Sequence, residues 1–427
     1  MLVPKRKVVW LVALLVAALA LVAAGCGGDD NESSGDTTAT ETSGGGGGGK
    51  AIKIVSDLPL QGSDRVQTEQ MVRAMKFILQ QANNKAGDHT VEFQSFDDAT
   101  AAAGKWDEAK CAENARSYVD DESIVAVIGT YNSGCAGIEM PILNEVGLGM
   151  VSPANTYAGL THAAPGTSNG EPEKYFPSGD RNYLRVVASD DNQGKIGAQY
   201  MKDTLGVTKV FILDDKELYG KGVADAFESA AKDAGLTVVG HSGWDKDAQN
   251  YRATMTKIKA SGADGIYIGG VSANNGGQLV KDKAQIVGDN DAVKLVVSDG
   301  FVLSSLFEEA GKANVEGAYG TAPTQPPAKL TGKGKKFITD FLAAENGKPA
   351  EVYTVYAAAA MQAVLDAIGR SDGTRADVLK KLFETDIPDS VVGDLSFNEQ
   401  GDPAGGTESV YKATNGAWDF QETKSVG

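Results

Sequence analysis

From residue 51 onward the chain alternates short apolar runs with segments whose apolar residues recur every three or four positions. Ala51–Ser56 (AIKIVS) is a short β-type run, and Val66–Ala82 places Val72, Met75, Leu79 and Ala82 on one helical face. Val91–Phe96 alternates apolar and polar residues, Trp106–Val119 reads as a helix, and Ile124–Gly129 (IVAVIG) is apolar throughout, as a strand covered on both faces should be. A helix to about Glu145, bent at Pro141, and a strand over Met150–Ser152 follow. A Gly-, Pro- and Ser-rich stretch, Tyr157–Tyr183, then interrupts the rhythm.

The alternation resumes with a strand at Val210–Leu213 and a helix at Gly222–Ala234 that carries Val223, Ala226, Phe227 and Ala230 on one face. Val238–His241, Gly265–Ile268 and Leu295–Val297 read as strands, with helices Tyr251–Ala260 and Gly276–Val287 between them. Gly317–Ala322 looks extended, Lys335–Ala344, Tyr353–Ile368 and Arg375–Phe383 look helical, and Val391–Gly427 breaks into short strands around turns. Repeated β-α-β units imply parallel sheets with helices on both faces. Roughly 375 residues exceed one such sheet, so two α/β lobes are expected, with their strand ends facing across a cleft.

The first 50 residues follow other rules. Lys5, Arg6 and Lys7 precede an apolar run from Val8 to Ala24, and Ala23-Ala24-Gly25 leads into Cys26. That order reads as a signal peptide over 1–25, with Cys26 resembling the lipidated cysteine of a bacterial lipoprotein box. Ala23 departs from the leucine commonest there, and an uncleaved anchor is the competing reading, since the run of 17 residues can span a thinned bilayer. Residues 26–50 contain almost no large apolar side chain and read as a flexible tether. The expected location is therefore extracytoplasmic, lipid-anchored to the outer face of the cell membrane.

Charge narrows the partners. With 40 Lys+Arg against 57 Asp+Glu, the formal net charge is -17, which repels phosphate backbones and argues against nucleic acid. There are three cysteines; with Cys26 lipidated, Cys111 and Cys135 are either a disulfide or two separate thiols. No GxSxG elbow, HExxH, Walker loop or paired CxxC appears, and His89, His162 and His241 have no metal-ligand spacing, so neither catalysis nor a metal or cofactor is expected. Asp97-Asp98 point apart on a strand and read as structural. The Gly44–Gly49 run precedes no strand–helix pair in the right order and is no phosphate loop.

Candidate binding chemistry lies at strand ends. The loop after IVAVIG, Thr130 to Cys135, leads into a helix with Ser133 placed as its N-cap, and the free N–H groups of that turn suit a carboxylate. Ser152-Pro153-Ala154-Asn155-Thr156 ends the next strand. Asp299, after Leu295–Val297, can hold an ammonium group, although Asp-Gly is also a common turn. Tyr219 follows Val210–Leu213 and either reaches across the cleft or packs on its own lobe.

Several segments in order resemble the branched-chain amino-acid (Leu/Ile/Val-type) binding proteins of ABC importers, of the type I periplasmic binding protein fold. They are AIKIVSDLPLQG, IVAVIGTYNSGCAGIEMPILNEVGLGMVSPANTYAGLT and LDDKELYGKGVADAF. The resemblance implies two Rossmann-like lobes with parallel sheets joined by a three-strand hinge. Crossings are placed near Ala188, Tyr319 and Val391, so that 51–188 plus 320–390 form one lobe and 189–319 plus 391–427 the other. It implies that Ser133 binds a ligand carboxylate and that the Ala154 carbonyl accepts from the ammonium. Thr156 would contact both ends of the head group, Tyr219 would come from the second lobe, and Asp299 would stand where glutamate is usual. Cys111 and Cys135 would form the first-lobe disulfide.

The implied function is capture of an amino acid or amide-like ligand, by a monomer, for delivery to a membrane permease. A ligand-sensing receptor subunit of the same fold is the alternative, although the sequence runs to Gly427 without a signalling domain, and an extracellular hydrolase is a third reading. Two departures stand out. Gln61, Ser63, Asp64, Arg65 and Gln67 in the first loop, and Val271 to Asn275 in the second lobe, make the expected side-chain pocket polar. Gly166–Arg181 is an additional stretch of unassigned role.

Overall fold

The computed structural model describes residues 51–426, so the expected signal peptide, Cys26 and the tether lie outside the described residues. In the first half, β1 (Ile52–Leu58), α1 (Arg65–Gln81), β2 (Lys85–Ala86), β3 (His89–Asp97), α2 (Glu108–Asp120), β4 (Ile124–Gly129), α3 (Ser133–Asn144), β5 (Gly149–Ser152) and β6 (Tyr183–Arg185) follow one another. Their strands form one sheet in the order β2-β3-β1-β4-β5-β6, parallel except where β2 meets β3. The uninterrupted burial of IVAVIG follows from its central place with helices on both sides.

The second half contributes α4 (Asp190–Gln199), β7 (Lys209–Asp214), α5 (Leu218–Asp233), β8 (Thr237–Gly243), α6 (Arg252–Ser261), β9 (Gly265–Gly269), α7 (Gly276–Ile286), β10 (Lys294–Val297) and β11 (Tyr319–Ala322). The chain then runs through α8 (Gly332–Ala344), α9 (Thr354–Gly369) and α10 (Arg375–Phe383) before the hairpin β12 (Gly406–Thr414) and β13 (Ala417–Val426). The second sheet is ordered β8-β7-β9-β10-β11-β12-β13, parallel as far as β11 and antiparallel through the hairpin. Two mostly parallel sheets, each with its own core, make this a two-lobed α/β fold.

Helix α9 is drawn into the first core because Ala357 to Ala360, all fully buried, let it lie close to its neighbours. Tyr319–Ala322 pairs within the second sheet, while Val391 and Leu395 lie in the first core. Between the lobes Arg185, wholly buried, donates to Asp402 at 2.6 Å and to the Tyr157 carbonyl at 2.8 Å. That pair ties the ends of two crossings together. Helix α4 falls where no helix is expected. Gly194 lets it rest on α5 backbone, where a Cβ would lie 2.7 Å from the Phe227 nitrogen. Among the described residues, no helix is long and apolar enough to cross a membrane.

Candidate functional site

The strand ends of the first lobe are held in place by a polar lattice. Ser152 donates to the Thr130 carbonyl at 2.9 Å and accepts from the Asn155 backbone N–H at 2.8 Å. Asn155 in turn donates to the Tyr131 carbonyl at 2.9 Å and accepts from the Tyr183 hydroxyl at 3.1 Å. These bonds fix the 130–132 loop against the Ser-Pro-Ala-Asn-Thr segment. Helix α3 begins at Ser133, one residue earlier than expected: the N-cap is Asn132, and its side chain does not cap the helix. The Asn132 amide oxygen is buried without a partner. The first turn of α3 is therefore left without a side-chain acceptor, which suits it to an external anion.

From the second lobe, β10 delivers Asp299 into a short 3-10 turn, 4% exposed. Its carboxylate accepts from Tyr219, from Gln193 at 2.8 Å, and from Tyr353 at 2.6 Å. Burial raises its pKa, and the bonds from Tyr219, Tyr353 and Gln193 work against that rise. Tyr219 thus packs on its own lobe, beside Asp299, instead of reaching across. Tyr353 does the reaching: it belongs to the first core and bonds the second-lobe carboxylate.

All five residues singled out from the sequence come together. Ser133, Ala154, Thr156, Tyr219 and Asp299 line one cavity, with Tyr131, Asn132, Val271, Gly300 and Tyr353 completing its wall. Tyr353 and Gln193 were missed. Tyr353 opens a helix far along the chain, and Gln193 sits on the unexpected α4; neither carries a local pattern that marks it. Cys111 and Cys135 form a disulfide that ties α2 to the first turn of α3, beside Ser133.

The polar residues of the first loop divide. Gln61 turns to Asp97 at 2.7 Å and Arg65 pairs with Glu69 on the surface, whereas Asp64 and Gln67 are each 1% exposed. The lobes also meet outside the cavity, where Lys105 bonds Glu217 and Asn274 and the Trp106 indole donates to Glu217 at 3.1 Å. The 166–181 stretch folds inward on Glu171, which accepts from Tyr157 at 2.6 Å and Tyr175 at 2.8 Å, and Tyr175 borders a groove with Glu217 and Leu218.

The three histidines serve local contacts. His162 joins Asp402 at 3.1 Å, His241 joins Glu228 at 2.6 Å and Asp214 at 3.2 Å, and His89 faces the Ser371 carbonyl at 3.4 Å.

The sequence model of the periplasmic binding protein family matches residues 51–416. The chain belongs to that family. It is one of extracytoplasmic solute-binding proteins, not enzymes. Among this periplasmic binding protein's relatives, Leu/Ile/Val-binding protein homolog 3 of Brucella melitensis is 28% identical over 311 residues, covering 72% of this chain and 78% of that one. The structure of leucine binding protein LivK from Thermotoga maritima superposes with a TM-score of 0.75 at 22% identity, covering 87% of this chain and 98% of that one. A solute binding protein of an ABC transporter from R. palustris, solved with benzoate, has a TM-score of 0.72 at 18% identity, covering 88% and 98%. At those identities the solved structures speak for the fold.

Proposed function

We propose that the chain is the solute-binding lipoprotein of an ABC importer, anchored through Cys26, which captures an amino acid or amino-acid-like ligand between its lobes and delivers it to a permease. The observation that carries this reading is the shared cavity of Ser133 and Asp299. An uncapped helix start stands on one lobe and a buried carboxylate on the other. The first offers N–H donors and a positive dipole end to a carboxylate; the second offers a full negative charge to an ammonium group. Among the described residues, the side-chain partners of Asp299 are two hydroxyls and an amide, none of them a cation.

In this reading Thr156 and the Ala154 carbonyl complete the head-group contacts, and Tyr219 and Tyr353 orient Asp299. The names of the Leu/Ile/Val-binding relatives agree with such a ligand. Closure of the lobes would take both ends of the zwitterion out of water, which strengthens each bond.

An aromatic acid, as in the R. palustris protein, is the second reading. It is disfavoured because it brings no ammonium group to the buried Asp299 carboxylate.

Calorimetric titration with a panel of α-amino acids that includes leucine, and with isoamylamine and isocaproate, tests the proposal, since the last two each lack one end of the leucine zwitterion. Failure of every α-amino acid to bind, or equal binding by isocaproate, would overturn it.

A further inference from the structure

The head-group cavity has a polar neighbour that the head group does not use. Tyr131 connects the two, because its ring lines the cavity while its hydroxyl accepts from Gln67 at 2.7 Å. The other end of that amide, the Gln67 carbonyl oxygen, is buried without a partner. Both carboxylate oxygens of Asp64, at the start of α1, are likewise buried and unpartnered. The side chain of Asp64 does not cap its own helix. Three orphaned acceptors at the start of one helix require donors, since each unpaired buried polar atom costs roughly 1–3 kcal/mol.

Among the described residues, none supplies such a donor. Asp64 feels charges from both sides of the seam between the lobes: Glu309 and Glu217 from the second lobe, and Lys105 from the first. Lys105 is the one cation of that set, and it is already committed to Glu217 and Asn274. Asp64 thus faces two carboxylates and one engaged ammonium. A neutral aliphatic side chain placed there would leave the acceptors unpaired and the negative charge uncompensated.

We propose that the ligand is an amino acid whose side chain ends in a positively charged hydrogen-bond donor, received by Asp64 and Gln67 beside Tyr131. The inference rests on the amino-acid reading of the head-group site and names which amino acids it takes. The zwitterionic end is gripped between Ser133 and Asp299, and the distal cation meets Asp64. A cation there brings Asp64 to its ionised form, so binding releases a proton in the pH range where the free carboxyl is partly protonated. Burial, followed by Glu309 and Glu217, lifts that carboxyl to about 7 in the free protein.

The test is calorimetric titration of the mature protein with L-lysine, L-arginine and L-leucine at pH 7, in two buffers of different ionisation enthalpy. At least one cationic amino acid should bind ten-fold or more tightly than leucine, with proton release that leucine does not produce. Asp64→Asn should reduce the cation-to-leucine affinity ratio at least ten-fold. Should that variant not fold, the buffer dependence of the unmodified protein decides alone.

Leucine binding more tightly than both cationic amino acids, or cation binding without proton release, would overturn the inference while leaving the amino-acid reading intact. Failure of all three amino acids to bind would remove both.

Discussion

The Tyr353 hydroxyl donates to Asp299 at 2.6 Å, from the core of one lobe to a carboxylate carried by the other. Tyr353 is 1% exposed and opens α9, a helix of the first core. The bond thus couples the placement of Asp299 to the apposition of the two lobes.

Tyr353→Phe should weaken amino-acid binding about 10- to 100-fold, since a hydrogen bond to a charged group contributes roughly 1.5–3 kcal/mol. The free protein's melting temperature should change far less than the affinity. Titration calorimetry beside a thermal melt separates the two, and an unchanged affinity would count against the role of Tyr353.

Much of the fold was legible because burial on both faces leaves a simple signature. IVAVIG, the strand ends carrying Ser133 and Asp299, and the amphipathic face of α5 all announce themselves in the sequence. What was hidden depends on backbone contact. Helix α4 was unreadable because its packing face is marked by Gly194 and Gly197 in place of large apolar residues. Gln193 and Tyr353 escaped for a related reason, as partners of Asp299 supplied by distant segments.

The close approach at Gly194 makes a prediction of its own. A Cβ there would meet the Phe227 nitrogen at 2.7 Å and the Ala226 carbonyl carbon at 2.8 Å, both backbone atoms that cannot step aside. Gly194→Ala should lower stability by about 1–3 kcal/mol in urea unfolding. A neutral result would mean that α4 and α5 are less tightly apposed.

The Cys111–Cys135 disulfide closes a loop of 24 residues and holds the first turn of α3. Cys111→Ser with Cys135→Ser should cost about 3 kcal/mol of stability. Because Cys135 lies two positions from Ser133, ligand affinity should also fall. Retention of both properties would show that the bridge does not shape the site.

Stability should decline as pH rises from about 5 to 7. Burial, reinforced by Glu309 for Asp64 and by Glu217 for Asp215, raises each of these carboxyls to about 7. In the unfolded chain they titrate near 4. A carboxyl that holds its proton more tightly when folded contributes fully below about pH 4, and that contribution is lost as pH climbs through about 7. Asp98, Glu139, Asp190 and Glu408 shift the same way, chiefly through burial. Lys283, lowered to about 7 mainly by burial, has the opposite slope, but only between about pH 7 and 10. The urea midpoint of the ligand-free protein should therefore fall across pH 5–7, less steeply in Asp64→Asn; a rising midpoint would contradict the assignment.

The most direct measurement is the affinity of Asp299→Asn for an amino acid compared with its deaminated acid. Loss of the carboxylate charge should weaken amino-acid binding about 30-fold or more, because a buried partner of a charged group contributes roughly 2–5 kcal/mol. The deaminated acid, with no ammonium to hold, should bind no worse than before. An equal loss for both ligands would contradict the account, for Asp299 would then shape the cavity without recognising the ammonium group.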